Sequence, residues 1–191
     1  MKNLKSKSKN ESNGTIICAL PLYHIFALTA CMFLGMRVNM TNLLIPNPRD
    51  FDGFIKVLAR EKFHIFPGVN TLFNALMNHD KFQELDFSNL KISIGGGMSM
   101  TKVVADKWQK ITNCPMIEGY GLSETSPVAI VVPVNTKSFL GNVGLPVSST
   151  DVAIIDDNES ILNYGELGEI VISGPQVMDS YWSNKAETDE V

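Results

Sequence analysis

The alternation of short apolar runs with helix-like segments constrains the fold more than any other feature of the chain. The run Leu90–Ile94 leads directly into Gly95-Gly96-Gly97, and a helical pattern follows over Thr101–Ile111. A second run begins at Met116-Ile117 and ends at Gly119-Tyr120-Gly121. A strand, a helix and a strand in this order pair most readily as parallel strands with the helix packed on the sheet. The pattern therefore predicts an α/β fold with a mostly parallel sheet.

The earlier part of the chain continues this alternation. It adds two predicted strands and three predicted helices, namely Thr15–Leu20, His64–Phe66, Ile25–Phe33, Phe51–Leu58 and Val69–Met77. Asp50 precedes the second of these helices and is a residue type that caps helix N-termini. The segment Ile25–Phe33 is apolar on all sides, which predicts a buried helix.

The character of the chain changes near Asn135. Two short β-like runs, Val152–Ile155 and Glu169–Ser173, are separated by turn residues and have no strong helix between them. Such a pattern is typical of an antiparallel barrel or small sandwich. The sequence therefore predicts three regions: a disordered polar tail over 1–13, an α/β part over 14–135 and a β-rich subdomain over 136–191.

Composition narrows the functional classes. Apolar residues make up 45% and charged residues 19% of the chain, which is a globular composition. The formal net charge is −4, and no basic stripe with interleaved aromatic residues is present, so we expect no nucleic-acid partner. The three cysteines, Cys18, Cys31 and Cys114, are widely spaced, which disfavours a disulfide framework or a zinc site and favours a reducing, cytoplasmic compartment.

One segment also resembles a targeting signal. Thr15–Met36 contains no charged residue and follows a lysine-rich start, and Leu28–Cys31 resembles a lipoprotein cleavage box. The alternative is a buried strand that leads into a buried helix. Pro21, Tyr23 and His24 would interrupt an apolar membrane helix, so the sequence favours the alternative.

Three segments carry candidate site residues. Gly95, Gly96 and Gly97 precede a helix, where glycine lets a ligand approach the backbone and the helix N-terminus favours anions. A tight turn without a ligand explains these glycines equally well. His24 follows the predicted strand at 15–20, and a histidine beside apolar residues is most often a core or rim residue.

The third segment, Glu118–Thr125, has the richest chemistry. An aromatic ring at Tyr120 could stack on a base, the hydroxyl of Ser123 could donate to a phosphate, and the carboxylate of Glu124 could hold Mg²⁺. Ligands of open α/β sheets bind beyond the carboxyl ends of strands, which is where this segment lies. On this pattern alone, a solvated turn is an equally good explanation.

Taken together, the segments resemble the adenylate-forming, AMP-binding superfamily, and in particular its bacterial long-chain fatty-acid–CoA ligases. Tyr120-Gly121-Leu122-Ser123-Glu124 is similar to the family's Tyr-Gly-x-Thr-Glu motif, with Ser123 keeping the hydroxyl of the usual Thr. The other resembling segments are Ala19–Phe26, Asn47–Asp50, Gly68–Leu76, Gly95–Met98, Gly165–Ile170, Gly174–Met178 and Tyr181-Trp182. The resemblance covers residues 15–191 and explains the apolar stretch at 15–36 as core.

The resemblance implies an acid–thiol ligase that uses ATP, Mg²⁺ and coenzyme A. A fatty acid would be activated as acyl-AMP and then transferred to coenzyme A. The implied site residues are Tyr120 and Gly121 at the adenine, Ser123 at a phosphate, Glu124 on Mg²⁺, His24 at the acyl-pocket mouth, and Gly95, Gly96 and Gly97 along the channel. Peripheral contact with the inner membrane is compatible with such a substrate.

Three features of the resembled family have no counterpart that we find in this sequence: a Gly/Ser/Thr-rich phosphate loop, an Asp that holds the ribose and a catalytic Lys. We therefore expect an internal fragment of a ligase that does not catalyse alone. The alternatives left open are an inactive remnant with weak nucleotide or acyl binding, and a piece that pairs with a separate chain supplying the missing groups.

Overall fold

A seven-stranded sheet organises the fold. The computed structural model describes residues 12–191, so most of the predicted tail at 1–13 lies outside the described residues. The strands run in the spatial order β2-β1-β3-β4-β5-β6-β7. Their bounds are β1 Thr15–Cys18, β2 Thr41–Leu44, β3 Ile65–Gly68, β4 Ile92–Gly95, β5 Met116–Tyr120, β6 Ile130–Val131 and β7 Leu145–Pro146.

Strand direction confirms the predicted α/β class. The five strands from β2 to β5 are parallel, and β6 and β7 add two short antiparallel strands at one edge. Gly68 of β3 pairs with Gly95 of β4, and Gly95 pairs with Glu118 of β5. The C-terminal ends of these three strands therefore lie side by side at the same end of the parallel part of the sheet.

The helices connect the strands as the sequence predicts, with small shifts in their ends. Their bounds are α1 Ile25–Ala27, a π-helical segment Leu28–Phe33, α2 Leu34–Val38, α3 Phe51–Leu58, α4 Asn70–Met77, α5 Lys102–Thr112 and α6 Lys185–Thr188, with short 3₁₀ turns at Asp80–Glu84 and Ser123–Thr125. The predicted cap of α3 is confirmed, because Asp50 Oδ1 accepts a 3.0 Å hydrogen bond from the Gly53 N–H.

One face of the sheet carries the main core. The inner faces of α3, α4 and α5 pack there around an aromatic cluster of Phe66, Phe73 and Trp108, which are all fully buried. The Phe73 and Trp108 ring centroids lie 4.6 Å apart. The Trp108 indole N–H donates to the Ser93 hydroxyl at 2.8 Å, so the polar atom of the largest core side chain is satisfied.

The opposite face is covered by one continuous helical stretch, residues 25–38. Ala27 and Cys31 are buried against β1 and β3. The prediction that Ile25–Phe33 is buried on all sides is wrong, because Phe33 is 51% exposed and only Ala27 and Cys31 of this segment are fully buried. A single helix on a sheet buries one stripe, and its outer side has no cover among the described residues.

This arrangement also accounts for the uncharged stretch at 15–36. The stretch consists of β1, a connecting turn and the helical segments that pack on the sheet. In residues 12–191 no helix combines the length and hydropathy needed to cross a bilayer.

The chain after β7 forms a separate two-stranded antiparallel sheet. Asp151–Ile155, strand β8, pairs with Glu169–Ser173, strand β9. Both strands match the predicted β-like runs, while the predicted barrel and the domain division at 135–136 stay predictions. In the structure, the chain passes from the seven-stranded sheet to the second sheet between β7 and β8, which is after the predicted boundary. At the N-terminal end of the described residues, the Asn13 N–H donates to the Asn39 carbonyl at 2.8 Å.

Trp108→Phe should destabilise the fold by about 2 kcal/mol, because it leaves a void in the core and removes the donor to Ser93. Urea unfolding would measure the change. The matched control is Val103→Ala on the same helix, where the side chain is 78% exposed and the expected cost is under about 0.5 kcal/mol. Equal costs for the two variants would contradict this description of the core.

Candidate functional site

A cleft of about 430 Å³ opens at the carboxyl ends of β4 and β5. One wall is the helical stretch 25–34, and the other is formed by the strand ends and the segment after β5. Most of the lining surface is apolar. Small-molecule sites typically occupy roughly 300–1,000 Å³ and are lined in this way, with few polar groups.

The fold brings the separately predicted site residues into this one cleft. Its lining includes seven of them: His24, Gly95, Gly96, Gly97, Tyr120, Gly121 and Ser123. They come from three separate parts of the sequence. The glycine loop and the segment after β5 meet because β4 and β5 are neighbours, and His24 lies at the start of the helical wall opposite them. The predicted metal ligand, Glu124, is not among the residues that line the cleft.

The glycine loop after β4 is shaped by its surroundings. Gly97 has a φ of +73°, which L-residues with side chains rarely adopt. A Cβ at residue 96 would lie 3.1 Å from the Phe26 ring on the opposite wall. Part of the requirement for glycine is therefore steric, and the bare backbone also keeps the loop open to the cleft.

The segment after β5 is held by a buried threonine. The Leu122 N–H donates to Thr125 Oγ1 at 2.9 Å, and that hydroxyl lies 2.8 Å from the Pro127 carbonyl, to which it donates. A Cβ at residue 121 would collide with the same carbonyl. These contacts fix the turn that presents Tyr120 and Ser123 to the cleft.

A buried carboxylate links the two loops, and sequence reasoning missed it. Glu118 of β5 accepts a 3.0 Å hydrogen bond at Oε1 from the Met100 N–H, in the segment after the glycine loop. The side chain is only 8% exposed. The available signal was an acidic residue within a buried strand, since buried carboxylates almost always have a partner.

His24 has a structural role in addition to its place on the cleft. Its Nδ1 accepts a 3.2 Å hydrogen bond from the Phe26 N–H and caps α1. A neutral imidazole that accepts at Nδ1 carries its proton on Nε2. His24 is thus an exposed rim histidine whose remaining N–H is available as a donor.

Glu124 binds a partner that the sequence did not predict. Its Oε1 accepts a 2.6 Å hydrogen bond from the Tyr181 hydroxyl. This bond holds the pKa of the Glu124 carboxyl below its usual value and raises the pKa of Tyr181. Because the folded-state pKa is lowered, the contact favours folding above the ordinary glutamate pKa, and this contribution is lost as the pH falls through the lowered value.

No preformed metal cage accompanies this carboxylate. Within residues 12–191, no three His, Cys, Asp or Glu side chains are grouped closely enough to hold a metal ion. The three cysteines are free and buried. A metal at Glu124 would therefore need most of its ligands from a bound substrate and water.

Comparison with known proteins identifies the family. The model of the AMP-binding enzyme family matches residues 1–182. The chain belongs to the AMP-binding enzyme family. It is 48% identical over 175 residues to a long-chain-fatty-acid–CoA ligase of Haemophilus influenzae, and 34% identical over 184 residues to one of Bacillus subtilis.

The match covers most of this chain and a smaller part of each relative. The aligned region is 92% of this chain and 31% of the Haemophilus ligase, so the chain spans about a third of that relative's length. For the Bacillus ligase the two shares are 95% and 32%. The fold is similar to that of the matching part of the anthranilate CoA ligase AuaEII, solved in complex with anthranoyl-AMP, with a TM-score of 0.85 and 22% identity. That likeness covers 95% of this chain and 35% of the solved one.

Gly121→Ala should destabilise the chain by about 2 kcal/mol or more, because the added methyl group collides with the Pro127 carbonyl and the turn must move. The matched control is Gly119→Ala two residues earlier, where the nearest atom to a Cβ is 3.7 Å away. Urea unfolding of both variants would measure the difference. Equal stability would show that the turn is not held as described.

Proposed function

We propose that this chain is the part of a long-chain fatty-acid–CoA ligase that holds the nucleotide and the start of the acyl chain. In the reaction, a carboxylate oxygen of the fatty acid attacks the α-phosphorus of ATP, and pyrophosphate leaves. The thiolate of coenzyme A then attacks the acyl carbon of acyl-AMP, and AMP leaves. The 48% identity to a named ligase supports this substrate class.

The proposal rests mainly on the lining of the cleft. An acyl-adenylate has a polar, anionic half and an apolar half, and both must lie in one site while the acyl group moves between acceptors. The ends of β4 and β5 offer glycine backbone, a ring and a hydroxyl, while the helical stretch 25–34 and the pair Val128 and Val131 offer an apolar wall. Such a cleft matches both halves of an acyl-adenylate.

Each lining residue has a role that its position supports. The Tyr120 ring would stack against the adenine, and the Ser123 hydroxyl would donate to a phosphate oxygen. The backbone of Gly95, Gly96, Gly97 and Gly121 would let the nucleotide and the acyl group approach closely. The Nε2–H of His24, at the rim, would donate to an oxygen at the mouth of the acyl pocket.

Glu124 would bind Mg²⁺ through its carboxylate. Mg²⁺ in nucleotide sites is typically held by one or two carboxylates together with phosphates and water, so one ionised, solvent-accessible carboxylate fits it. The lowered pKa of Glu124 keeps this group charged. When bound, Mg²⁺ neutralises charge on the phosphates.

We further propose that these 191 residues bind ligands without turning them over. The resembled family also uses a phosphate loop, a ribose-binding Asp and a Lys, and removal of one preorganised donor typically costs about 10²–10³ in rate. These groups, and the binding of coenzyme A, would come from further sequence of the same polypeptide or from a separate chain. A ligase of this kind would act in the cytoplasm, and its lipid substrate is compatible with peripheral contact at the inner membrane.

Tyr120→Ala should weaken ATP binding by roughly ten-fold or more, because it removes a stacking surface for the base. Equilibrium dialysis with labelled ATP and Mg²⁺ would measure the affinity. Tyr164→Ala is the matched control, since Tyr164 is fully exposed and does not line the cleft. ATP affinity that is the same in both variants would contradict the assignment of the adenine site.

Fatty-acid-dependent exchange of pyrophosphate into ATP tests the expected inactivity of the 191 residues. With Mg²⁺ and a long-chain fatty acid, the wild-type chain should show no exchange above background. Exchange that Glu124→Ala abolishes would contradict this part of the proposal. It would show that the residues present here suffice for adenylate formation.

A further inference from the structure

The segment Met178–Thr188 contacts the turn that carries Glu124 at two points. The Tyr181 hydroxyl donates to Glu124 Oε1 at 2.6 Å, and the Met178 N–H donates to the Glu124 carbonyl at 2.8 Å. Of these two Glu124 acceptors, the first belongs to the side chain and the second to the backbone. This segment therefore constrains both the position of residue 124 and the direction of its carboxylate.

The tyrosine is itself held in place by its own segment. The Tyr181 N–H donates to Thr188 Oγ1 at 3.0 Å, and the Thr188 hydroxyl donates to the Asn184 carbonyl at 2.8 Å. These bonds tie Tyr181 to the last residue of α6 and that residue to the N-cap of the helix. The backbone that carries the Tyr181 phenol is therefore held in place, which lowers the entropy cost of fixing the Glu124 carboxylate.

The chemical type of the partner is informative. A phenol is a neutral donor, so it occupies one carboxylate oxygen without cancelling the negative charge. Among the described residues, the close pairs of a basic and an acidic side chain are His79–Asp52, Lys102–Asp106 and Lys185–Asp189, and none of them includes Glu124. Glu124 is thus oriented by a neutral donor and keeps its negative charge for a cation.

We propose that Tyr181 is a positioning residue that orients the Glu124 carboxylate for binding Mg²⁺ on the nucleotide phosphates. This inference rests on the proposed function of Glu124. Carboxylates that bind metals are commonly held by an outer hydrogen bond, and loss of that bond typically weakens metal affinity by about 10–100-fold. Tyr181→Phe removes the hydroxyl and keeps the ring.

The first test needs no ligand. Carbon-13 NMR of the Glu124 carboxyl, titrated with acid in the 191-residue chain, should give a pKa that rises toward the ordinary glutamate value in Tyr181→Phe. Tyr164→Phe, at a fully exposed tyrosine, is the matched control and should leave it unchanged. Thr188→Val, which removes the acceptor of the Tyr181 N–H, should give a smaller rise. An unchanged Glu124 titration in Tyr181→Phe would overturn the inference.

The second test measures how much Mg²⁺ strengthens ATP binding, as the ratio of ATP affinities with excess Mg²⁺ and with EDTA. Tyr181→Phe should reduce this ratio by roughly ten-fold. Glu124→Gln, which keeps an acceptor for the phenol, should bring the ratio close to one, and Tyr164→Phe should not change it.

The outcomes separate the two claims. A ratio lost in Glu124→Gln but kept in Tyr181→Phe would overturn the role of Tyr181 and leave that of Glu124 intact. A ratio unaffected by Glu124→Gln would show that Glu124 does not bind the metal, and the role of Tyr181 would be overturned with it.

Discussion

The parallel pairing of β4 with β5 is the constraint on which the rest of the site depends. Gly95 lies opposite Glu118, so the two strands end at the same edge of the sheet. The Glu118 carboxylate then binds the Met100 N–H and ties the chain after β4 to β5. A slip of one residue would turn each side chain of β5 to the other face, removing this bond. The glycine loop and the Tyr120 segment form one cleft because this register holds.

The two faces of the sheet contribute in different ways. On one face, the aromatic cluster with Phe66, Phe73 and Trp108 is closely packed against the strands and supports them. On the other, the helical stretch 25–38 is the only helical cover among residues 12–191, and the cleft opens between its first turns and the strand ends. Thr29 and Ala30, in the π-helical segment, line this opening, and π-helical turns are frequent at functional sites. One face of the sheet thus carries the packed core, and the other carries the opening of the cleft.

The sequence predicted the parts of the molecule that depend on local pattern. The α/β class, the Asp50 cap and most helices and strands followed from periodicity and turn residues, with ends displaced by a few residues. Strand β2 was missed because Thr41–Leu44 carries no clear alternation, and the burial of the helix at 25–33 was overestimated because its neighbours were unknown. Most predicted cleft residues were brought together, whereas the bonds Glu118–Met100 and Glu124–Tyr181 join residues 18 and 57 positions apart. No local pattern encodes such contacts.

Binding of a non-hydrolysable long-chain acyl-adenylate mimic, followed by amide NMR of the 191-residue chain, would show directly whether the cleft is the acyl-adenylate site. We expect shifts of the amide signals at 95–97 and 120–124, with the apolar wall at 25–34 responding only when the acyl chain is present. A polar depression at the other end of β4, near Asp86, Ser88 and Lys91, serves as the internal control and should not respond. Shifts at that end, or none at the cleft at saturating mimic, would contradict the assignment of the cleft as the acyl-adenylate site.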